Sequence, residues 1–228
     1  MSDISALQAL KNLYDLQATA FQNFNQSCAP GCTFCCTRNV VMTSLEGDYL
    51  LGGMGQEEIN RLLAAFSHKP TLLRMQPSLT LNAMAALYMA GEDPPEDPAD
   101  PSWWPCPILD EKTGKCGAYA HRPMACRCMI SKTPCETSGL ADMEEEAILL
   151  HTLFLQAVEH LDIGGKSANL MDLLMEILKP GSTDVSMPEN RKIPMLMIPQ
   201  SSQEKLRPLL GEIGKILGSV QKTEPRIQ

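Results

Sequence analysis

The sequence predicts a mainly α-helical protein with one small β-hairpin, whose helices pack around an irregular, cysteine-rich metal-binding core. Two observations support this fold class. Apolar residues recur at helical spacing both before and after the middle of the chain. The middle instead concentrates cysteine, proline and glycine, which interrupt regular structure or bind metals. With 228 residues, of which 44% are hydrophobic, the chain can bury a core without disulfide staples.

The N-terminal part predicts a series of short amphipathic helices. Leucine and aromatic residues at helical spacing predict a helix over 5–25, capped by Ser2 or Asp3 and ending near Ser27. Pro30 then excludes helix from the segment that follows.

A strand and three further helices are predicted before residue 91. A short strand is expected over 39–42, and the spacing of Thr43 and Glu46 is that of a capping box. This box predicts a helix that runs to about Leu51. Further amphipathic helices are predicted over the following ranges: 56–66 and 78–90.

Two elements of the middle segment are not helical. Residues 91–102 are rich in proline and acidic residues and predict a solvated loop. Residues 106–109 and 115–119 flank Asp-Glu-Lys-Thr-Gly, which predicts a hairpin with Gly114 at its turn. Such a hairpin would bring Cys106 and Cys116 near one another.

The C-terminal part returns to helix. Helices are predicted over 143–161, which opens with three glutamates, over 167–178, and over 203–220 with a perturbation at Pro208. The chain is therefore interpreted as one domain, 1–228, with a cysteine-bearing core over 28–135 and a helical part over 139–220. The residues after Lys222 are expected to fray.

Charge and hydropathy exclude several classes of partner. The net charge is −8 and no run of lysine and arginine is present, which argues against nucleic acid. No stretch is long and apolar enough to cross a membrane. The N-terminus has no basic region followed by an apolar one, so we expect a cytoplasmic protein. In that reducing compartment, nine cysteines indicate metal binding or catalysis before disulfides.

The cysteines fall into two groups. Four lie within nine residues, and five more follow the acidic loop. The first group is Cys28, Cys32, Cys35 and Cys36; the second is Cys106, Cys116, Cys126, Cys128 and Cys135. Thiolates this dense on a tight loop are what a soft metal ion or an iron–sulfur cluster requires. Arg122 and Arg127 could offset the charge of several thiolates.

These elements resemble a known family. The CxxxCxxCC segment, Cys106-Pro107-Ile108-Leu109, Cys116 to Tyr119 and Arg122-Pro-Met-Ala-Cys126-Arg127 occur in the same order as in the bacterial YkgJ-type cysteine-cluster proteins, described as zinc- or iron-chelating domains. The resemblance covers about residues 28–130. It implies the following ligands or reserve ligands: Cys28, Cys32, Cys35, Cys36, Cys106, Cys116 and Cys126. Cys128 or Cys135 could supply an eighth thiolate, and the predicted ligand set includes Cys128.

The nature of the metal is open at this level. Many thiolates without an evident histidine partner suit an iron–sulfur cluster, such as 4Fe–4S, or paired zinc sites. The adjacent pair Cys35 and Cys36 favours a polynuclear cluster, and repeated CxxC knuckles typical of zinc are missing. A zinc-binding interaction protein is the alternative.

An enzymatic alternative rests on the same segment. The spacing of Cys28, Cys32 and Cys35 is that of radical S-adenosylmethionine enzymes, and flagellin lysine methylases have a similar cysteine arrangement. However, the segment follows a helix, no strand–helix series comes after it, and Cys36 would compete for the open iron. Methyl transfer or radical chemistry is therefore the weaker interpretation.

Overall fold

The computed structural model of the chain describes residues 5–29, 31–68, 74–97 and 104–220. It confirms the predicted fold class, because helices dominate and a two-stranded hairpin is present. The last part of the predicted acidic loop, residues 98–102, lies outside the described residues. So do Trp103 and the tail after Lys222.

The helices are α1 (Ala6–Phe21), α2 (Ser44–Gly52), α3 (Gln56–His68), α4 (Leu81–Ala90), α5 (Met124–Arg127), α6 (Cys135–Ser138), α7 (Glu145–Leu161), α8 (Leu170–Leu178) and α9 (Gln200–Gly218). The strands are β1 (Val41–Thr43), β2 (Leu109–Asp110), β3 (Lys115–Cys116) and β4 (Ser167–Asn169). A 3-10 turn covers Tyr119–His121.

The ends of the first two helices test the predicted caps. The predicted cap of α1 at Ser2 or Asp3 is wrong, because the extended residue Ser5 accepts a hydrogen bond from the Gln8 backbone N–H at 3.2 Å. The capping box of α2 is confirmed: Thr43 and Glu46 each accept a hydrogen bond from the other's backbone N–H.

A second small sheet joins the two halves of the chain. Strand β1 pairs antiparallel with β4, with Val41 opposite Asn169 and Thr43 opposite Ser167. The predicted helix over 167–178 is thus wrong for its first three residues, which are strand. The Asn169 side chain accepts a hydrogen bond from the Met171 backbone N–H and starts α8 there.

The buried apolar residues form two clusters. The larger cluster lies among α1, α7 and α9, where Leu10, Leu13 and Phe154 are fully buried. The smaller one surrounds α8 and includes Leu50 and Leu174. Cysteines touch both: Cys128 belongs to the larger cluster, whereas Cys106 and Cys116 pack against the smaller one. The cysteine-bearing middle therefore joins the two parts of the core.

The length and hydropathy of the helices determine whether any of them could span a membrane. In the part of the chain that the structure describes, none of the helices combines the length and the apolar character that crossing a bilayer requires.

Candidate metal centre

The N-terminal cysteine segment, residues 28–36, is a succession of tight turns. The backbone N–H of Cys32 donates to the Ala29 carbonyl at 2.9 Å, and that of Cys36 donates to the Thr33 carbonyl at 2.9 Å. Gly31 adopts a φ of 91°, a conformation that other residues rarely take. The chain thus doubles back between neighbouring cysteines, as a shared site of adjacent thiols requires.

Backbone hydrogen bonds attach this segment to the second cysteine group. The Arg38 N–H donates to the Trp104 carbonyl, and the Cys106 N–H donates to the Cys36 carbonyl, both at 2.9 Å. Thr37 and Pro105 form an isolated bridge between these two hydrogen bonds. The pairing places Cys36 beside Cys106, which are distant in sequence.

The hairpin and α5 add two more thiols. Cys116 on β3 lies opposite Leu109, and the Leu109 N–H donates to the Cys106 carbonyl at 3.0 Å. Cys126 lies in α5, which begins directly after Pro123. These elements bring together what we call the inner thiol group: Cys35, Cys36, Cys106, Cys116 and Cys126.

Thiol acidity in the inner thiol group reflects this proximity. A hydrogen bond donated by the Cys35 thiol lowers the pKa of Cys36 and raises the pKa of Cys35. Burial, reinforced by the charge of Cys116, raises the pKa of Cys106 to about 11. Burial also raises the pKa of Cys126, and the charges of Cys106, Cys35 and Cys116 add to that effect. Deprotonating all five thiols therefore calls for a compensating positive charge.

Two arginines lie beside the inner thiol group. The charge of Arg122 acts on Cys35 and Cys126, and the charge of Arg38 acts on Cys106. Each guanidinium has a buried Nε without a hydrogen-bond partner among the described residues. Two cationic N–H donors are thus left beside thiols, where anionic sulfur could accept them. The chemistry of the donor set and its charged surroundings therefore suit a thiolate-bound metal.

Arg127, predicted to assist Arg122, is engaged elsewhere. Its guanidinium lies 4.0 Å from the centroid of the Tyr14 ring. It also donates to the Arg122 carbonyl at 2.8 Å and to the Ala120 carbonyl at 2.5 Å. Arg127 therefore fixes the backbone that carries Arg122.

The other predicted ligands lie apart from the inner thiol group. Cys28 and Cys32 are exposed and line a cleft of about 300 Å³ together with Cys135. Cys128 is fully buried among apolar side chains, and the charges that act on it are Glu46, Arg127 and Arg122, with no thiol among them. The structure thus divides the predicted ligand set into three places.

Glu46 is a site residue that sequence inspection missed. It is only 2% exposed, and its Oε1 accepts hydrogen bonds from the Tyr14 hydroxyl at 3.1 Å and from the Met124 N–H at 2.7 Å. Burial raises its pKa. Glu46 thereby fixes the first residue of the turn that carries Cys126. Its capping-box position was recognisable, but not its partner on α5.

The histidines and Trp104 have other surroundings. The His121 ring contacts the Tyr49 ring in a tilted arrangement, with centroids 5.0 Å apart, and packs against Gly53. His160 accepts a hydrogen bond from the Ile193 N–H at 3.4 Å. Trp104 is 45% exposed, so much of its surface does not cover the thiols.

The thiols are neighbours but do not converge on a single point. Across the described ranges, no three histidine, cysteine, aspartate or glutamate side chains have the arrangement of ligands to one metal ion.

Comparison with known proteins agrees with the cysteine pattern. Residues 27–146, more than half of the chain, match the family model "CxxCxxCC: Putative zinc- or iron-chelating domain". The chain belongs to this CxxCxxCC family. The match confirms the resemblance to cysteine-cluster proteins and assigns cysteine-ligated zinc or iron binding to the chain, without distinguishing the two metals. No curated protein and no solved structure matches it.

The cysteine spacing of this chain differs at one point from the CxxCxxCC pattern that gives the family its name. Three residues, not two, separate Cys28 from Cys32, and Gly31 lies among them. The CxxCxxCC match includes Cys135 and ends in the first turn of α7, so the C-terminal helices lie outside it.

Proposed function

We propose that the inner thiol group holds an iron–sulfur cluster of the 4Fe–4S type in a cytoplasmic protein. The observation that carries this proposal is the meeting of five thiols from three chain segments. Four thiolates ligate such a cluster, so five candidates are sufficient. A cytoplasmic location is consistent with nine cysteines, because that compartment keeps thiols reduced.

The adjacency of Cys35 and Cys36 supports a cluster over a single zinc ion. A zinc ion gathers four ligands around one point at about 2.3 Å from each sulfur, which neighbouring residues reach with difficulty. A cluster distributes its ligands over several irons. The hydrogen bond from Cys35 to Cys36 and the tight turns around them place both thiols on the same side of the segment.

The two arginines support the same proposal. A cluster presents both thiolate and inorganic sulfide, and N–H donors to these sulfurs stabilise it and tune its potential. The Nε groups of Arg38 and Arg122 are buried and have no acceptor among the described residues, and the charges of both arginines act on inner thiols. Each could donate to cluster sulfur.

Anaerobic purification tests the proposal. The full chain is purified without oxygen, and iron, acid-labile sulfide and zinc are quantified per chain. We expect iron and sulfide in equal amounts and a broad visible absorption that dithionite bleaches. Zinc bound at the inner thiol group, with no iron and no sulfide, would contradict the cluster and favour the zinc protein.

Two variants connect the metal to the inner thiol group. Cys126→Ser should abolish iron and sulfide binding, because it removes a half-buried ligand. Cys128→Ala is the matched control, since Cys128 is fully buried in the apolar core and no thiol is among the charges that act on it. Equal iron loss in both variants would show that Cys128 is a ligand.

A further inference from the structure

We infer that Asn169 and Met171, at the start of α8, are positioning residues for the inner thiol group and act on it through Arg38. Both residues come after residue 146, where the CxxCxxCC match ends. The inference rests on metal binding by the inner thiol group, as the proposed function does, but it applies to zinc and to a cluster alike. It makes the C-terminal part of the chain a component of the metal centre.

Asn169 fixes the backbone of Arg38. Asn169 is fully buried, and its side-chain amide donates to the Arg38 carbonyl at 2.7 Å and to the Met75 carbonyl at 3.0 Å. The Arg38 N–H in turn donates to the Trp104 carbonyl at 2.9 Å. The Arg38 backbone is therefore held on one side by β4 and on the other by the segment that leads to Cys106.

Met171 fixes the side chain of Arg38. The Arg38 Nη1 group donates to the Met171 sulfur at 2.9 Å. Met171 is 3% exposed and belongs to the smaller apolar cluster, against which Cys106 and Cys116 pack. Because the Met171 N–H also donates to the Asn169 side chain at 3.0 Å, the two positioning residues hold one another. The guanidinium is thus attached to the same apolar cluster as two of the inner thiols.

The charge of Arg38 has little compensation other than the thiols. Arg38 is only 6% exposed, and the charges that act on it among the described residues are those of Arg74, which repels it, and of Cys106. Asp172, the carboxylate on α8, forms an ion pair with Arg74 at 2.5 Å. A buried charge is unfavourable without a counter-charge. Arg38 in this position therefore favours anionic sulfur, such as a metal-bound thiolate, beside it.

A double-mutant cycle tests whether Met171 acts through Arg38. Met171→Leu removes the sulfur acceptor with little change in volume, and Arg38→Met removes the guanidinium. Met175→Leu is the matched control, because Met175 lies one turn further along α8 and packs against the same cluster. Each full-length variant is purified anaerobically, iron, sulfide and zinc are counted per chain, and a chelator competes for the metal. The metal that Cys126→Ser loses is the metal of the inner thiol group.

The expected losses are ordered. Arg38→Met should weaken retention of the inner metal about 10- to 100-fold, the usual effect of removing an outer hydrogen-bond partner of a metal site. Met171→Leu should weaken it by less than about tenfold, and Met175→Leu should not change it. In the Arg38→Met background, Met171→Leu should have no further effect, because the group through which it acts is absent. Unchanged retention in Met171→Leu, or the same loss in both backgrounds, would overturn the inference.

A second variant tests the backbone contact. Asn169→Asp keeps an acceptor for the Met171 N–H but removes the donors to the Arg38 and Met75 carbonyls. It should weaken metal retention at least as much as Met171→Leu, while circular dichroism shows the helix content of the parent. Retention equal to that of the parent would overturn the role of Asn169. If Asn169→Asp does not fold, the milder Met171→Leu still decides the inference.

The same measurements separate this inference from the proposed cluster. Zinc without iron and sulfide at the inner thiol group would refute the cluster, and zinc retention should then follow the same order among the variants. Metal retention that is insensitive to Arg38→Met would refute the inference, whichever metal is bound. A parent chain without metal at the inner thiol group would refute both.

Discussion

The inner thiol group and the thiols that line the cleft (Cys28, Cys32 and Cys135, the cleft thiol group) share the nine-residue segment 28–36 yet differ in their surroundings. The inner group gathers five thiols, mostly half-buried, next to two arginines. The cleft group has three thiols, two of them exposed, next to Glu136. The turn after Cys32 divides the segment between them. Cysteine density alone therefore does not define a single site, because the path of the backbone decides which thiols meet.

Cys35 lies at the boundary between the two groups. Its charge raises the pKa of Cys28 in the cleft, and it also raises the pKa of Cys126 in the inner group. Its own hydrogen bond goes to Cys36, which assigns it to the inner group. The following experiments test how far the two groups are independent.

The largest expected effect comes from matched serine variants on either side of the boundary. Cys36→Ser should lose the inner metal and lower the melting temperature, because bound metal stabilises the folded state in proportion to its affinity. Cys28→Ser should keep the inner metal. Thermal unfolding together with iron analysis measures both effects. Iron loss in Cys28→Ser equal to that in Cys36→Ser would show that the groups are one site.

Removal of one cationic donor should have a smaller effect. Arg122→Gln takes a charge from beside Cys35 and Cys126 and should weaken metal retention in the inner group by about 1–3 kcal/mol, the usual contribution of a charged hydrogen bond. Competition with a chelator measures this retention. Lys215→Gln removes the same charge from the exposed face of α9 and should change nothing. Equal weakening of metal retention by Lys215→Gln would contradict a local role for Arg122.

The hairpin turn offers a still finer test. Gly114 has a φ of 65°, and a Cβ there would lie 3.3 Å from the Gly31 carbonyl oxygen, on the turn that separates the two groups. Gly114→Ala should cost about 1–2 kcal/mol of unfolding free energy from its left-handed backbone. We expect an additional loss of unfolding free energy from the contact with Gly31, together with weaker metal binding in the inner thiol group.

Gly91→Ala is the matched control for that variant. Gly91 has a φ of 77° and no atom within 4 Å of an added Cβ, so it carries the backbone strain without the contact. Urea denaturation compares the two variants. Identical losses would show that the hairpin does not support the cysteine segment.

The smallest effect concerns a carboxylate remote from both groups. Glu159 is 3% exposed and accepts hydrogen bonds from the Asn82 and Arg191 backbone N–H groups, at 2.8 and 2.9 Å. Burial raises its pKa. The folded state therefore binds its proton more tightly than the unfolded chain does. Its contribution to stability is complete below the ordinary carboxyl pKa of about 4.3 and is lost as pH rises through the raised value.

Replacement of Glu159 is the reference for the other variants, because it should change stability without changing metal content. In metal-free Glu159→Gln, the unfolding free energy relative to the parent should increase as pH rises from about 4 to 7, since glutamine does not titrate. Urea titration at several pH values measures this trend. Metal content at neutral pH should equal that of the parent. A flat difference across this range would show that Glu159 keeps an ordinary pKa.

Local patterns predicted the local parts of this molecule. The capping box at Thr43 and the hairpin turn at Gly114 each depend on neighbouring residues, and both are present. The family match was also foreseeable from the order of the cysteines. Features of this kind are determined by residues that are close together in the sequence.

Non-local contacts could not be predicted in the same way. The periodicity of apolar residues predicted a helix at Ser167. Such periodicity indicates which face of a segment is buried, but it does not identify a distant strand with which the segment pairs. The division of the thiols depends on hydrogen bonds from Ser27 to a segment far along the chain. The contact between Glu46 and Met124 is equally distant. A single sequence does not encode these pairings in any short motif.

The pairing of β1 with β4 also sets an order of assembly during synthesis. All nine cysteines precede β4, so a growing chain has made every thiol before Ser167–Asn169 can join β1. Closing so long a loop is entropically costly and slow. Until it closes, the Ser44 N–H in the first turn of α2 lacks its acceptor, the Lys166 carbonyl. The nascent chain therefore offers its thiols to metals, and to oxidants, before its fold can protect them.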